Sequence, residues 1–388
     1  MSLWQATSTS EAFMDRAVRL ARRGRGATAP NPCVGAVLVR DGAVVAEGWH
    51  TGFGKLHAER ECLANARDKG VDPRGATMFV TLEPCNHHGK TPPCTEALIE
   101  AGVAKVVVGT RDPNPVAAGG VDKLRSHGIE VTVGVLEQRC RDLIDDFLLW
   151  QNTHSSYNIL KMAATLDGKI SGRARRPEAV SCAEAFARVH DLRAMVGAII
   201  VGGNTFYADD PSLTCRKEDL PADFVQPFGV VVTSRLPDDP SRFTLLRERP
   251  ERAIFMTSKS AARSPQADVL RRRGTSVWPL PGRAGALSLS CGFERLRYDC
   301  HCHYTLCEGG GRFAMTLIEQ GLADELIHFV APRILGDDDA PAAYSGRQAA
   351  SMAQALDFRI AEFEAVGTDL MLTLRSRYCA PGGETDLA

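Results

Sequence analysis

The chain has 388 residues, of which 44% are hydrophobic and 24% are charged, so its composition is globular and excludes a disordered, collagen-like or mucin-like chain. At a prior of about 150 residues per domain, this length predicts two or three domains. The 46 basic and 47 acidic residues leave a formal net charge of −1, which gives no electrostatic reason to expect a nucleic acid as partner.

Targeting segments and cysteines narrow the class of protein further. No stretch of about 18 apolar residues is present, so we expect no contact with a membrane. Residues 1–10 are polar and lack the apolar core of a secretion signal. Disulfide frameworks are typical of small secreted domains, whereas a chain of this length can bury a large core. We therefore expect a cytoplasmic protein whose 12 cysteines are buried thiols and a few metal ligands.

The first 150 residues alternate between helical and strand patterns. A helix is predicted over residues 12–23, and Asp41-Gly42 predicts a hairpin turn between strands at 34–39 and 43–47. The alternation continues with helices at 56–67, 95–101, 121–127 and 136–150 and strands at 76–82, 105–109 and 129–135. This pattern predicts one three-layer α/β domain over residues 1–150.

A second α/β domain is predicted over residues 151–388, beginning with the polar segment 151–156. Its predicted helices cover residues 183–195 and 312–320, and its predicted strands cover residues 159–163, 198–201, 229–233, 253–257, 304–307, 325–331, 358–365 and 369–375. The last two strands meet at Gly367, and residues 279–292 are predicted to be a loop.

The residues most indicative of chemistry are His57, Glu59, Cys85 and Cys94. One imidazole and two thiolates form a three-ligand zinc site, which leaves a fourth position for water and is typical of catalytic zinc. Zinc lowers the pKa of that water and so produces a hydroxide nucleophile. Glu59 is two residues beyond His57, at the start of a helix, where it can move a proton to a leaving amine without binding the metal. The pattern matches the H-x-E and P-C-x-x-C signature of zinc nucleobase deaminases.

The second cysteine departs from that signature, because residues 86–93 are inserted between Cys85 and Cys94. Two other interpretations of the cysteines are open on the residues alone. They can be buried thiols, or they can belong to a closed structural zinc site completed by His87 or His88.

With that insertion, the sequence resembles the bifunctional riboflavin-biosynthesis deaminase/reductase family, in which the long spacing is typical. The resemblance is carried by N-P-C-V-G at 31–35, H-A-E at 57–59 and T-L-E-P-C-N-H-H-G-K-T-P-P-C at 81–94. In the second half it is carried by K-M-A-A-T-L-D-G-K at 161–169, A-D-D-P-S-L-T-C-R at 208–216 and E-G-G-G at 308–311. The similarity extends from about residue 10 to residue 375.

The resemblance implies a cytidine-deaminase-like α/β/α domain followed by a dihydrofolate-reductase-like α/β domain. The first would hydrolytically deaminate 2,5-diamino-6-ribosylamino-4(3H)-pyrimidinone 5′-phosphate, and the second would use NADPH to reduce the ribosyl group to ribityl. The partners so implied are a small phosphorylated pyrimidine and further copies of the same chain, in a homo-oligomer.

The resemblance also implies roles for individual residues. Zinc would be held by His57, Cys85 and Cys94, with Glu59 as the proton shuttle. Residues implied to contact the deaminase substrate are Asn31, His50 and Lys90. Residues implied on the substrate side of the reductase are Arg193, Leu213, Arg216 and Glu308, and those on the cofactor side are Ala163, Thr205 and Asp209.

The second domain has signals of its own. No G-x-G-x-x-G follows a strand, so a Rossmann-type cofactor site is not indicated. Instead Gly309, Gly310 and Gly311 lie between a strand and a helix, where main-chain N–H groups can approach a phosphate. Ser234 and Arg235 follow another strand and can take the 2′-phosphate that distinguishes NADPH from NADH.

Two features leave alternatives open in the second domain. Many family members have S-x-W-I-T where this chain has P-E-A-V-S at 177–181, so an active deaminase with an altered reductase is an alternative. The cysteines and histidines at 300–303, with Cys307, suggest a second metal site, but alternation along a strand would point them to opposite faces. A deaminase of nucleic-acid bases and a zinc-stabilised binding module are the remaining alternatives.

Overall fold

The computed structural model describes residues 9–87, 92–173, 178–283 and 286–376. Contacts within the chain divide it into two compact units, Met1–Asn152 and Thr153–Ala388. The division falls inside the polar segment 151–156.

The first unit is built on a five-stranded sheet in the order β2-β1-β3-β4-β5. Strand β1 is antiparallel to β2 and β3, while β3, β4 and β5 are parallel. The strands are β1 (Gly35–Arg40), β2 (Ala43–Trp49), β3 (Thr77–Leu82), β4 (Lys105–Thr110) and β5 (Glu130–Val133), and the helices are α1 (Thr9–Arg22), α2 (Ala58–Asp68), α3 (Cys94–Ala101), α4 (Gly120–Ser126), α5 (Glu137–Asp142) and α6 (Asp145–Asn152).

Alternating strand residues divide this unit into three layers. Leu38 and Met78 face α2, α3 and α4, whereas Val37 and Phe79 face α1 and α5. The α/β/α arrangement predicted from the sequence is therefore present. It matters for function because the parallel strands β3 and β4 end at the same edge of the sheet, where loops can carry a site.

The local predictions in the first unit hold with one correction. Asp41 and Gly42 have φ values of 50° and 73°, as a type I′ hairpin turn requires. The single helix predicted over 136–150 is wrong, because the chain forms two helices, α5 and α6. The second helix begins at the acidic pair Asp145–Asp146, and acidic residues favour a helix N-terminus.

The second unit contains a nine-stranded sheet in the order β10-β9-β8-β7-β13-β6-β14-β16-β15. Its strands are β6 (Tyr157–Thr165), β7 (Ala198–Gly202), β8 (Phe228–Val232), β9 (Ala253–Ser258), β10 (Ser276–Leu280), β13 (Tyr304–Cys307), β14 (Glu325–Ala331), β15 (Phe358–Val366) and β16 (Asp369–Ser376), and β11 (Gly282–Arg283) pairs with β12 (Ala286–Leu287). The helices are α7 (Ala183–Met195), α8 (Gly203–Asp209), α9 (Thr244–Glu248), α10 (Pro265–Arg272), α11 (Ser290–Tyr298) and α12 (Gly311–Glu319).

Seven of these strands, from β10 to β14 across the sheet, are parallel, and β16 and β15 extend it as an antiparallel hairpin. Strand β13 lies at the centre between β7 and β6. The carboxyl ends of these three strands therefore meet at one edge, where ligand crevices occur in open parallel sheets.

Two predictions in the second unit are corrected. Residues 279–292 are not one loop, since they include the end of β10, the β11–β12 pair and the start of α11. Residues 300–303 are not part of a strand, because β13 begins only at Tyr304, and His301 has a left-handed φ of 54°. The alternation argued for the cysteines and histidines there does not apply.

Candidate active sites

The first site brings together three side chains that are distant in sequence. His57 is the residue before α2, Cys85 follows β3, and Cys94 is the first residue of α3. The His57 Nδ1 atom lies 3.6 Å from Cys85 Sγ and 3.4 Å from Cys94 Sγ. All three ligand atoms lie within 4.8 Å of one another, and no other such group of His, Cys, Asp or Glu occurs among the described residues.

Neighbouring hydrogen-bond donors give the thiols of Cys85 and Cys94 different pKa values. A hydrogen bond from Cys94 and another from His57 lower the pKa of Cys85 to about 4 against the opposing effect of burial. The Cys94 main-chain N–H also donates to Cys85 Sγ at 3.4 Å. The shared hydrogen bond with Cys85 and burial raise the pKa of Cys94. A thiolate is thus stabilised at Cys85, as a metal ligand requires.

Glu59 is the second residue of α2 and is only 3% exposed. Burial raises its pKa to about 7, with a further contribution from the charge of Cys85. A carboxyl group with a pKa near neutrality can both accept and donate a proton.

A cavity of about 320 Å³ lies against this cluster. Asn31, His50, His57, Glu59 and Cys85 all line it. Burial lowers the pKa of His50, so its imidazole is neutral near pH 7. Its Nδ1 lies 2.9 Å from the Leu56 carbonyl and must donate, so its Nε2 accepts from Asn31 Nδ2 at 3.4 Å. Lys90 and His88 lie outside the described residues.

Several residues on this cavity wall were not predicted from the sequence. Asp112 and Asn114 line it, and they follow β4 at the same sheet edge as the cysteine loop. Glu83 is 3% exposed and accepts the main-chain N–H groups of Asp112 at 3.2 Å and Val121 at 2.9 Å. Polar residues after β4 are visible in the sequence, but only the folded sheet places β4 beside β3.

The second site is a larger cavity of about 1590 Å³ at the carboxyl ends of the central strands of the second unit. All but one of the residues predicted for the reductase line it: Ala163, Arg193, Thr205, Asp209, Arg216, Ser234, Glu308, Gly309, Gly310 and Gly311. Leu213 is the exception. Its side chain is 2% exposed and packs near Gly229, away from the cavity.

A charged cluster lies at one end of this cavity. Arg193 donates from Nε and Nη2 to the two carboxylate oxygens of Glu308, each at 2.7 Å. Lys161 on β6 also lines the cavity, and burial lowers its pKa. Lys161 was not predicted as a site residue, although a lysine within an apolar strand pattern was a signal.

The three glycines at 309–311 have different structural roles. A Cβ on Gly309 would lie 2.3 Å from Phe313 Cδ1, and one on Gly311 would lie 2.2 Å from the Ala342 carbonyl oxygen. These two glycines allow close packing. A Cβ on Gly310 would meet only Thr205 Oγ1, at 3.8 Å, so Gly310 faces open cavity at the N-terminus of α12.

Two further segments border the cavity. Ser234 lines it beside Arg235, whose guanidinium lies 4.3 Å from the Tyr207 ring centroid. Residues 178–181, where the family's tryptophan is missing, also line it, while residues 174–177 lie outside the described part of the chain.

Comparisons with known proteins match both units of the chain. The family described as the cytidine and deoxycytidylate deaminase zinc-binding region matches residues 7–110, and the RibD C-terminal domain matches residues 156–372. The riboflavin biosynthesis protein RibD of Aquifex aeolicus is 36% identical over 361 residues, covering 93% of this chain and 96% of that protein. RibD of Escherichia coli is 35% identical over 374 residues, covering 94% and 98%.

Solved structures resemble the whole chain. RibD of Acinetobacter baumannii is 34% identical with a TM-score of 0.70, covering 96% of this chain and 99% of that one. A diaminohydroxyphosphoribosylaminopyrimidine deaminase/5-amino-6-(5-phosphoribosylamino)uracil reductase from Thermotoga maritima is 35% identical with a TM-score of 0.72, covering 95% and 99%. The predicted fold class is confirmed. Across the described residues, no helix combines the length and apolarity needed to cross a bilayer.

Proposed function

The chain belongs to the RibD family of bifunctional riboflavin-biosynthesis deaminase/reductases, and from this premise we propose how its residues divide the two reactions. It is a zinc- and NADPH-dependent enzyme of riboflavin biosynthesis. Its first reaction hydrolyses the ring amine of 2,5-diamino-6-ribosylamino-4(3H)-pyrimidinone 5′-phosphate, and its second reduces the ribosyl side chain to ribityl.

In the deaminase unit, His57, Cys85 and Cys94 are the zinc ligands. The donor set fits, because one imidazole and two thiols converge within 4.8 Å and Cys85 is held as a thiolate. Zinc, when bound, activates water for attack on the pyrimidine ring. The short distances between His57, Cys85 and Cys94 are the main observation in support of this proposal.

Glu59 moves the proton of the deamination. Its buried carboxyl lies beside the ligand set and has a pKa of about 7, so it can take a proton from the attacking water and deliver it to the leaving amine. Asn31 and His50 bind the pyrimidine through a fixed pair of polar groups on the cavity wall. We assign Lys90 to the substrate phosphate, because a phosphorylated ligand needs a cation near the cavity.

In the reductase unit, NADPH fits the wall formed by Ala163, Thr205, Asp209, Ser234 and the glycine run. Gly310 supports this because the space beside it is open at a helix N-terminus, where phosphates bind. Arg235, adjacent to Ser234, supplies a cation suited to a 2′-phosphate. NADPH, when bound, supplies the hydride for the sugar carbon.

The substrate end of this cavity is formed by Arg193, Arg216 and Glu308. Reduction of a ribosyl ring to an open ribityl chain also requires a proton on the ring oxygen as the carbon–oxygen bond breaks. Lys161 is a donor for that proton, because it lines the same cavity and its lowered pKa favours proton release.

Replacing Glu59 by Gln tests the deaminase assignment most simply. The variant should keep its zinc, measured by metal analysis, and lose deamination by about 10²–10⁴-fold. Glu61→Gln, two residues along the same helix, is the matched control and should retain activity. Full deamination in Glu59→Gln would refute the assignment.

For the reductase, an NADPH titration with and without the pyrimidine nucleotide tests whether residues 178–181 still permit binding. We expect NADPH to bind, with an affinity lowered by Gly310→Ala. A chain that deaminates but binds no NADPH would favour the altered-reductase alternative.

We propose that the chain assembles with copies of itself through the β15–β16 hairpin. One face of this hairpin is apolar, because Ile360 and Phe363 lie on the same side as Leu370, and these residues are 56%, 64% and 40% exposed. Apolar faces of this kind mark interfaces.

The eleven described cysteines are all free, which supports a reducing, cytoplasmic compartment. The near-zero net charge supports a small phosphorylated substrate in preference to a nucleic acid.

A further inference from the structure

Residues 210–216 form a strained segment between α8 and the wall of the reductase cavity. Asp210 and Leu213 have φ values of 41° and 51°, in the left-handed region that L side chains rarely adopt. Among the described residues five non-glycine positions have positive φ, and two of them lie in this short segment. Such conformations persist only where neighbouring contacts enforce them, and they cluster at functional sites.

The enforcing contacts come from residues 244–249, which comprise α9 and Arg249. Thr244 donates its main-chain N–H and its hydroxyl to the two carboxylate oxygens of Asp210, at 2.7 and 2.8 Å. Arg249 Nη2 donates to the Ser212 carbonyl at 2.7 Å and the Leu213 carbonyl at 2.9 Å. Asp210 and Leu213 are thus both held by hydrogen bonds from residues 244–249.

Arg249 is also anchored to the sheet. Its Nη1 donates to the Pro227 carbonyl at 3.0 Å, immediately before β8. One planar guanidinium therefore links the start of β8 to the strained segment, and its fork geometry restricts where the acceptors can lie.

The segment in turn orients the charged cluster of the cavity. The Thr214 carbonyl accepts a hydrogen bond from Arg193 Nη1 at 2.9 Å, and the other nitrogens of Arg193 bind Glu308. Thr214 directly follows Leu213, so the left-handed turn at Leu213 sets the direction of this carbonyl. The buried Leu213 side chain cannot reach substrate, and its contribution is made through the main chain.

We propose that Arg249 is a positioning residue for the reductase reaction, holding residues 212–214 in the strained conformation that orients Arg193 against Glu308. The inference rests on the proposed function, because that is where Arg193 and Glu308 are assigned to substrate. Arg249 itself does not line the cavity. Without its guanidinium, the carbonyls of Pro227, Ser212 and Leu213 lose their donor, the strained turn relaxes, and the Thr214 carbonyl moves away from Arg193.

Steady-state kinetics of the full chain test this, using the deaminated pyrimidine nucleotide and NADPH. Arg249→Ala should lower reductase kcat/KM by roughly tenfold or more, and added guanidinium ion should restore part of the loss. Arg249→Lys should be intermediate, because an ammonium cannot reproduce the fork. The matched control is Arg271→Ala, which also removes an arginine bonded to a main-chain carbonyl, that of Ala262 at 2.7 Å.

Deaminase activity of the same preparations reports the amount of enzyme and should not change in any variant. Reductase kcat/KM in Arg249→Ala within twofold of wild type would overturn the inference, as would a loss equalled by Arg271→Ala. A fall in kcat that only matches the loss of folded protein, with unchanged KM and no guanidinium rescue, would overturn it as well. If Arg249→Ala does not fold, unchanged kinetics in Arg249→Lys would have the same force. A wild-type chain that deaminates but never oxidises NADPH would refute the proposed reductase function and, with it, this inference.

Discussion

Replacing Glu308 by Gln perturbs the reductase site with little change of shape. Glutamine can accept one of the two hydrogen bonds from Arg193, but its amide nitrogen then faces the guanidinium where the second carboxylate oxygen was. The charge of Arg193 and that of nearby Lys161 are left without their carboxylate.

The expected loss of stability follows from the burial of the pair. The side chains of Arg193 and Glu308 are 13% and 12% exposed, so the pair is nearly buried. Removing one partner of a buried pair costs about 3–5 kcal/mol. The retained hydrogen bond offsets about 1 kcal/mol of this, which leaves about 2–4 kcal/mol. For a unit of this size that corresponds to a fall in Tm of about 4–16 °C.

The pH dependence has a definite sign. Burial alone raises the pKa of Glu308, but the Arg193 hydrogen bonds and the neighbouring positive charges lower it more, so its net pKa is lowered. A lowered carboxyl pKa contributes stability above the ordinary glutamate value of about 4.3, and this stability is lost as pH falls through the folded-state value. The Tm difference between wild type and Glu308→Gln should therefore be full at pH 7 and shrink below about pH 4.3.

Scanning calorimetry of the full chain measures this difference. The transition that NADPH shifts to higher temperature belongs to the reductase unit. Reductase kcat/KM should fall in the same variant while deaminase activity stays constant. An unchanged or raised Tm at pH 7 would refute the reasoning, and so would a difference that persists undiminished at low pH.

Three further predictions concern the zinc ligands, the cofactor cradle and the hairpin. Cys94→Ser should lose zinc and deamination by metal analysis and activity assay, whereas Cys62→Ser, also fully buried, should keep both; zinc retained in Cys94→Ser contradicts the ligand set. Gly310→Ala should raise KM for NADPH with little change in Tm. Gly311→Ala should lower Tm, because its Cβ would lie 2.2 Å from the Ala342 carbonyl oxygen. A lowered Tm with unchanged KM in Gly310→Ala would be evidence against cofactor binding at the glycine run. Phe363→Glu should shift the mass by light scattering toward the monomer, while Val225→Glu, at a position 68% exposed, should not; an unchanged mass in both would argue against the hairpin interface.

The residues of the deaminase centre could be predicted because they lie in short sequence motifs. His57 and Glu59 begin a recognisable helix, and Cys85 follows a clear strand, so the topology had to bring them to one sheet edge. Asp112 and Asn114 lie at the same edge, but they were not predicted because their own residue types carry no metal-ligand signature. Their role depends on β3 and β4 being neighbours, which only the assembled sheet shows.

Most residues that line the second cavity could be predicted from the sequence, but the contacts between them could not. Arg193 and Glu308 were assigned from resemblance, yet their bidentate pairing depends on α7 and β13, which are far apart in sequence. Leu213 was assigned to the substrate side from its motif. A motif does not indicate whether the side chain or the main chain of a residue acts. Arg249 has no motif at all, since its effect arises from three carbonyls that approach one guanidinium in the folded chain.

One chain performs deamination and then reduction at two separate sites. Absorbance of NADPH, followed after addition of the diaminopyrimidine nucleotide, tests it directly with wild type and Glu59→Gln side by side. We expect oxidation of NADPH by wild type, none by Glu59→Gln, and full oxidation by Glu59→Gln when the nucleotide has been deaminated beforehand. Failure of wild type to oxidise NADPH, or failure of the deaminated nucleotide to restore oxidation in Glu59→Gln, would contradict it.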